Sequence, residues 1–168
     1  PVDYYNEEIN DSKKISEKKR EKLFDIIMKD AIEVQVAIIS PSDVDDLNVY
    51  AASKKAMTDC VLNFKNTPDY VLTDCMPLED ITEKGIEVLD IVKGDAKSAT
   101  IAASSIIAKV TRDRIMDEYD KVYPQYGFVK HRGYVTKLHR EMLEKYGVTP
   151  IHRRSFAPVK EVIERQGD

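Results

Sequence analysis

Ile91 to Asp113, IVKGDAKSATIAASSIIAKVTRD, constrains the fold of this chain more than any other stretch. It opens on apolar β-branched residues, turns at Lys93-Gly94-Asp95, and continues into a long run of Ala, Ser and Ile with cations near its far end. That pattern predicts a strand, a turn and a buried helix. Ser98 can cap the helix, and the small residues Ala99, Ala102, Ala103, Ser104 and Ala108 would let it lie close against a sheet. Asp95 is then left at the tip of a strand, with Lys93 and Lys97 two residues to either side. This setting suits an anion- or metal-handling carboxylate, and it equally suits a turn Asp that caps the helix.

A second candidate lies upstream. Pro68-Asp69-Tyr70-Val71-Leu72-Thr73-Asp74 reads as a short strand that also ends in Asp. Two strands ending in carboxylates are the raw material of a divalent-metal site, because Mg²⁺ and Mn²⁺ prefer oxygen ligands.

The length of 168 residues suits one compact domain with a real core. At 42% hydrophobic and 33% charged residues the chain has an ordinary globular composition. It shows neither a long apolar run nor a signal-peptide pattern, so a cytoplasmic location with no membrane partner is expected. Cys60 and Cys75 form no Cys-x-x-Cys pair and read as reduced structural thiols.

The formal net charge of −4 argues against a nucleic-acid partner until its distribution is considered. Residues 12 to 22 carry six Lys or Arg against Glu17 and Glu21, and residues 128 to 160 carry eight against Glu141 and Glu144. Residues 66 to 90 hold seven acids and only Lys84. Basic flanks around an acidic middle fit a phosphate backbone approaching a metal site. The alternative for Lys13 to Lys22 is the solvated face of a helix.

Taken in order, Ser16 should cap a helix with Leu23, Ile26, Ile27 and Ala31 on one face, and Val34 to Ile39 should form a strand. Ser40-Pro41-Ser42-Asp43 starts a short helix, and Asn48 caps a longer one through Phe64. Strands over 70 to 74 and 86 to 92 flank an acidic connection. Helices then run from Ser98 to about Tyr119, from Thr136 to Tyr146 and from Pro158 onward, with a turn-rich loop at Tyr123 to Gly127. Alternating helices and strands make the class α/β.

Four blocks carry a family resemblance. NDSKKISEKKREKL, KGDAKSATIAASSIIAKVTRD, YPQYGFVKHRGYVTKLH and TPIHRRSFAPV, in this order from Asn10 to Val159, resemble bacterial ribonuclease HII, a type 2 ribonuclease H. The resemblance implies a ribonuclease H-like fold, a mixed sheet flanked by helices. It further implies a single domain over 1–168 with a substrate-contacting helical part from about 120 to 168. Proteins of this family open with a strand carrying Asp-Glu-Ala-Gly-Arg-Gly and a hairpin partner. Neither is found in these residues, so the chain is expected to be N-terminally truncated.

By resemblance, Asp74 and Asp95 match two of the family's four acidic residues. They would serve as catalytic metal ligands, with two Mn²⁺ or Mg²⁺ ions about 3.5 to 4 Å apart. The implied reaction is cleavage of the RNA strand of RNA/DNA hybrids, leaving a 5′-phosphate and a 3′-hydroxyl, and incision at single ribonucleotides in duplex DNA. Tyr134 matches the tyrosine that stacks on the sugar at the RNA-to-DNA junction, although a buried Tyr with a bonded hydroxyl is an alternative. Asn10, Ser12 and Lys13 resemble a phosphate-binding turn, with Lys93 and Arg153 as further substrate contacts. Arg154 could also serve the backbone, and both arginines equally suit a bridge to the acidic middle. Asp113, between Arg112 and Arg114, is read as a salt-bridging residue, and His131, His139 and His152 lack metal-ligand spacing and are given no chemistry.

Two other readings compete. One is a catalytically inactive nucleic-acid-binding fragment. The other is a nucleotide-binding α/β domain, which the absence of Gly-x-Gly-x-x-Gly and Walker sequences disfavours. A full-length member would be a monomer.

Overall fold

The computed structural model of the chain describes residue 1 and residues 3–167. Local chemistry starts and stops its helices. Helix α1 (Glu17–Asp30) begins where Ser16 is extended and accepts the Lys19 amide on its hydroxyl. Helix α2 (Pro41–Leu47) has Pro41 in its first turn and Ser40 as its cap. The Ser40 hydroxyl accepts from the Asp43 amide at 3.1 Å and donates to the Asp43 carboxylate at 2.7 Å. Asn48, at φ 72°, ends α2. Its side-chain oxygen then accepts the amides of Tyr50 and Ala51, which opens helix α3 (Val49–Leu62), two residues shorter than expected.

The chain forms two compact units. The first comprises Pro1–Ile38 and Ser53–Val110. Here strands β1 (Tyr70–Thr73) and β2 (Glu87–Asp90) pair in parallel, Tyr70 opposite Glu87 and Thr73 opposite Asp90. The short helix α4 (Glu79–Thr82) lies in the crossover between them. Both strands are shorter than expected. The long helix α5 (Ala99–Val122) follows β2.

Two apolar clusters hold this unit together. Leu23 and Ile27 of α1, with Ile9, pack on Ala102, Ile106, Ile107 and Val110 of α5. Leu78, Ile81, Val61, Met76 and Ile86 pack around the crossover.

Two expectations are corrected in this unit. Val34 to Ile39 is extended but is not a strand. A strand exists only through its ladder partner, and the only sheet among the described residues is the β1–β2 pair. Val36 and Ile38 are accordingly exposed. Nor does the whole small-residue set on α5 turn inward: Ala102 is buried, whereas Ala99, Ser104 and Ala108 are exposed. The branched face is buried instead, because Ile106 and Val110 offer far more apolar area to α1 than an alanine does.

The second unit comprises Ile39–Ala52 and Thr111–Asp168. Besides α2 and the later turns of α5, it contains α6 (Phe128–His131), α7 (Lys137–Tyr146) and α8 (Ala157–Gln166). Thr136 caps α7 through the His139 amide, and Gly147, at φ 78°, ends it. Met116, Tyr126, Phe128, Leu143, Val159 and Val162 form the core. The Asp45 carboxylate of α2 accepts the amides of Arg154 and Ser155 at 2.6 and 2.9 Å, which fixes the turn before α8. The architecture is α/β with helices predominating. None of the described helices is long and apolar enough to cross a membrane.

Candidate active site

At their carboxyl-terminal ends β1 leads directly into Asp74, and β2 leads into the turn that carries Asp95. Buried Thr73 closes β1 with a tight turn, its hydroxyl donating to the Met76 carbonyl at 2.7 Å and accepting the Met76 amide. Asp74 is thereby presented, exposed, at the strand tip. On the other strand the Ile91 amide donates to the Thr73 carbonyl at 3.0 Å, carrying the pairing past the last ladder residue. Lys93 then takes a left-handed conformation at φ 57°, and Gly94–Ala96 form a 3-10 turn. Asp95 thus sits in this turn, beyond the end of β2 and not on the strand tip as expected, because the chain must bend before α5 can start.

One backbone hydrogen bond joins the two halves. The Gly94 amide donates to Oδ1 of Asp74 at 2.8 Å, so the residue that orients Asp74 immediately precedes Asp95. The approach is tight enough to favour glycine. A Cβ on Gly94 would lie 2.6 Å from Cδ1 of Ile101, 3.2 Å from the Thr73 carbonyl and 3.4 Å from Cα of Asp74. Gly94→Ala should therefore cost roughly 1 to 3 kcal/mol through overpacking. At this chain size the melting temperature should fall by about 2 to 4 °C per kcal/mol. A thermal melt equal to wild type would show that the approach is looser than described.

Asp95 also meets the N-terminal turn. Its Oδ2 lies 3.8 Å from Nζ of Lys13, and the two side chains are 11% and 81% exposed. Lys13 is therefore an exposed cation beside a largely covered carboxylate. Around it, Asn10 accepts the Asp11 amide at 2.7 Å and Asp11 accepts the Lys13 amide at 2.9 Å. Ser12 points elsewhere: its hydroxyl is buried against that of Ser105 at 2.7 Å, and its carbonyl accepts from Arg20. Lys93 is exposed next to the 3-10 turn. The structure thus brings Asp74, Asp95, Lys13 and Lys93 to one end of the sheet, with Ser12 serving as a tie to α5.

Tyr134 and Arg153 belong to the second unit. Tyr134 is 57% exposed, in a loop where Arg132 and Gly133 are left-handed at φ 51° and 79°. The Arg112 guanidinium lies 6.0 Å from the Tyr134 ring centroid and donates to the Arg132 carbonyl at 3.1 Å. Arg132 pairs with Asp117 and donates to the carbonyl of buried Asp113. Arg153 stacks on Phe156 at 5.0 Å, and Arg154 is exposed.

Two hard carboxylates suit a divalent cation in kind, yet they supply only part of an octahedral shell. Among the described residues no group of three or more His, Cys, Asp or Glu is placed to hold a metal. Ser105 escaped the sequence reading, and Gly94 was read only as a turn residue. A glycine between Lys93 and Asp95 signals a turn, but its contact with β1 and α5 is visible only in three dimensions, and nothing local distinguishes Ser105 from Ser104.

Comparison with known proteins shows what the chain is similar to. A family model described as Ribonuclease HII matches residues 5–159. Ribonuclease HII of Bacillus cytotoxicus is 50% identical over 166 residues, covering 99% of this chain and 62% of that protein. Ribonuclease HII of Bacillus mycoides is 51% identical over 165 residues, covering 98% and 63%. The chain therefore spans less than two thirds of the length of these curated relatives. Among solved structures, ribonuclease H2 from Pyrococcus horikoshii OT3 superposes with a TM-score of 0.81 at 24% identity, over 94% of this chain and 81% of that one. RNase HII in a complex with PCNA from Archaeoglobus fulgidus gives a TM-score of 0.69 at 24% identity, over 92% and 80%. The fold is that of these ribonucleases H.

Proposed function

Because the chain belongs to the ribonuclease HII family, we propose that it carries part of the active site of an endoribonuclease acting on RNA/DNA hybrids and on duplex DNA with embedded ribonucleotides. The observation that carries this reading is the pinning of Asp74 by the Gly94 amide, one residue before Asp95, at the carboxyl ends of adjacent parallel strands.

In this reading Asp74 and Asp95 would hold Mg²⁺ or Mn²⁺. When bound, such ions supply positive charge that acidifies an attacking water and offsets negative charge on the departing ribose oxygen. The chain's own contribution is orientation. The Gly94 amide fixes one Asp74 oxygen, and Lys13 balances Asp95 while its exposed ammonium is free to meet a phosphate. Tyr134 would stack on the sugar at the RNA-to-DNA junction, and Asn10, Lys93 and Arg153 would meet the backbone. Ser12 would act through its link to Ser105, as a support for this turn. The whole of 1–168 would work as a single domain in the cytoplasm, with residues from about 120 onward contacting substrate.

The test is Mn²⁺ titration of the ¹⁵N-labelled chain followed by amide signal broadening. Asp74, Cys75, Gly94 and Asp95 should broaden first, and Asp95→Asn should remove the effect. Broadening confined to other acids, such as Glu79 and Asp80, would overturn the assignment.

A second reading, a nucleic-acid-binding chain without catalysis, is favoured because no group of three or more His, Cys, Asp or Glu is placed to hold a metal among the described residues. Both readings require phosphate contacts. Affinity for a hybrid duplex should fall steeply with salt, and Lys13→Ala should lower the log-log slope by about one. A salt-independent affinity would count against any binding face built from these cations.

A further inference from the structure

Three histidines with no role in the proposed chemistry lie stacked beneath the Tyr134 loop. His131, His139 and His152 are 5%, 3% and 8% exposed. The His131 and His139 rings stack at 4.5 Å and 15°, and the His139 and His152 centroids lie 5.4 Å apart. Phe128 borders all three rings and Tyr126 borders His152.

Their hydrogen bonds leave one consistent arrangement of protons. The Thr149 amide can only donate, and it meets Nδ1 of His152 at 3.0 Å, so that nitrogen is bare and the proton of neutral His152 sits on Nε2. That Nε2 faces Nε2 of His139 at 3.2 Å, which must accept. The proton of His139 is therefore on Nδ1, where it donates to the Tyr134 carbonyl at 3.1 Å. His131 follows the same logic. Its Nδ1 accepts the Gly133 amide at 3.2 Å, and its Nε2 donates to the Tyr126 carbonyl at 3.1 Å.

We infer that this neutral imidazole relay, Thr149 to His152 to His139 to the Tyr134 carbonyl, with His131 holding the Gly133 amide, is a positioning device that sets the left-handed Arg132-Gly133 turn and so aims Tyr134 at the ribose. The inference rests on the junction-reading role proposed for Tyr134. Desolvation lowers the pKa of both His139 and His152, which keeps the relay uncharged at neutral pH. An added proton on either ring would oppose an existing N–H, at Thr149 in one case and between the two Nε2 atoms in the other. Among the described residues the ionisable rings in contact with the stack are the imidazoles themselves and the Tyr126 phenol, while the guanidiniums of Arg112 and Arg132 bond the carbonyls of Arg132 and Asp113.

The test uses the full chain and two fluorescent duplexes, one all DNA and one with a single ribonucleotide. Long-range ¹H–¹⁵N spectra at pH 7 should show His139 protonated on Nδ1 and His152 on Nε2. Wild type should prefer the ribonucleotide duplex, and Tyr134→Ala should remove that preference. His139→Phe, which keeps a planar aromatic ring, though a larger one, without nitrogens, should lower the preference about 5-fold or more. His139→Asn, whose amide can reach the position of Nδ1, should restore most of it.

A His139 that is cationic or protonated on Nε2 overturns the relay. So does an undiminished preference in His139→Phe when Tyr134→Ala has lost it. If Tyr134→Ala leaves the preference intact, the junction role of Tyr134 fails, and aiming of Tyr134 at the ribose fails with it. The spectra then report on the proton arrangement alone.

Discussion

Incubated with Mg²⁺ or Mn²⁺ and an RNA/DNA hybrid, the 168-residue chain by itself should cut roughly 10³-fold or more slowly than the same chain supplied with an Asp-Glu-Ala-Gly-Arg-Gly strand segment. The reason is charge. Two divalent ions held about 4 Å apart repel one another, and two carboxylates offset only half of their combined charge. Asp74 and Asp95 are the two acids proposed as ligands, and no group of three or more His, Cys, Asp or Glu is placed to hold a metal among the described residues. An added Asp and Glu, supplied in cis or as a peptide, should restore metal-dependent cleavage. Vigorous cutting by the chain alone, abolished by Asp95→Asn, would show that the dependence on further acids is mistaken.

Acidification should destabilise the chain through His152 and His139. Burial first, then the neighbouring His139, lowers His152 from 6.5 to about 4, and burial also lowers His139. In the unfolded chain these imidazoles take up protons near pH 6.5, whereas in the folded chain His152 resists until about pH 4 and His139 is also shifted downward. The unfolded state therefore binds more protons across this window, and stability falls as pH drops from about 6.5 toward 4. For His152 the loss is on the order of 3 kcal/mol. Urea unfolding at pH 7 and at pH 4.5 measures it. His152→Asn, which keeps an acceptor for the Thr149 amide but does not titrate, should lose markedly less on acidification. An equal loss in both proteins would place the acid sensitivity elsewhere.

What could be read from the sequence was governed by distance along the chain. Ser16, Ser40-Pro41, Thr136 and Gly147 act on amides and carbonyls within four residues of themselves, and each starts or ends a helix where its chemistry predicts. The two strands that precede Asp74 and Asp95 were legible for the same reason, since each is a short apolar run, whereas the turn that carries Asp95 beyond β2 was not. Val34 to Ile39 was misread because a β-branched run specifies extension, but pairing depends on another strand. The small residues of α5 were misassigned because composition does not say which face meets a partner, and the isoleucines won that contest. The histidines were passed over for want of ligand spacing. Positions 131, 139 and 152 converge only after α6, α7 and the turn before α8 have packed on Phe128.

The extended run at 33–40 also bears on how the chain behaves in bulk. Glu-Val-Gln-Val-Ala-Ile-Ile combines high β-propensity with a single charge, contains no proline, and presents Val36 and Ile38 to solvent. Such a segment is a hazard for cross-β stacking between molecules, which its packing through Val34 holds in check only while the chain stays folded. A concentrated solution should thicken into fibrils after a lag that seeding shortens, and Glu33, with Pro41 just beyond, would be its natural gatekeepers.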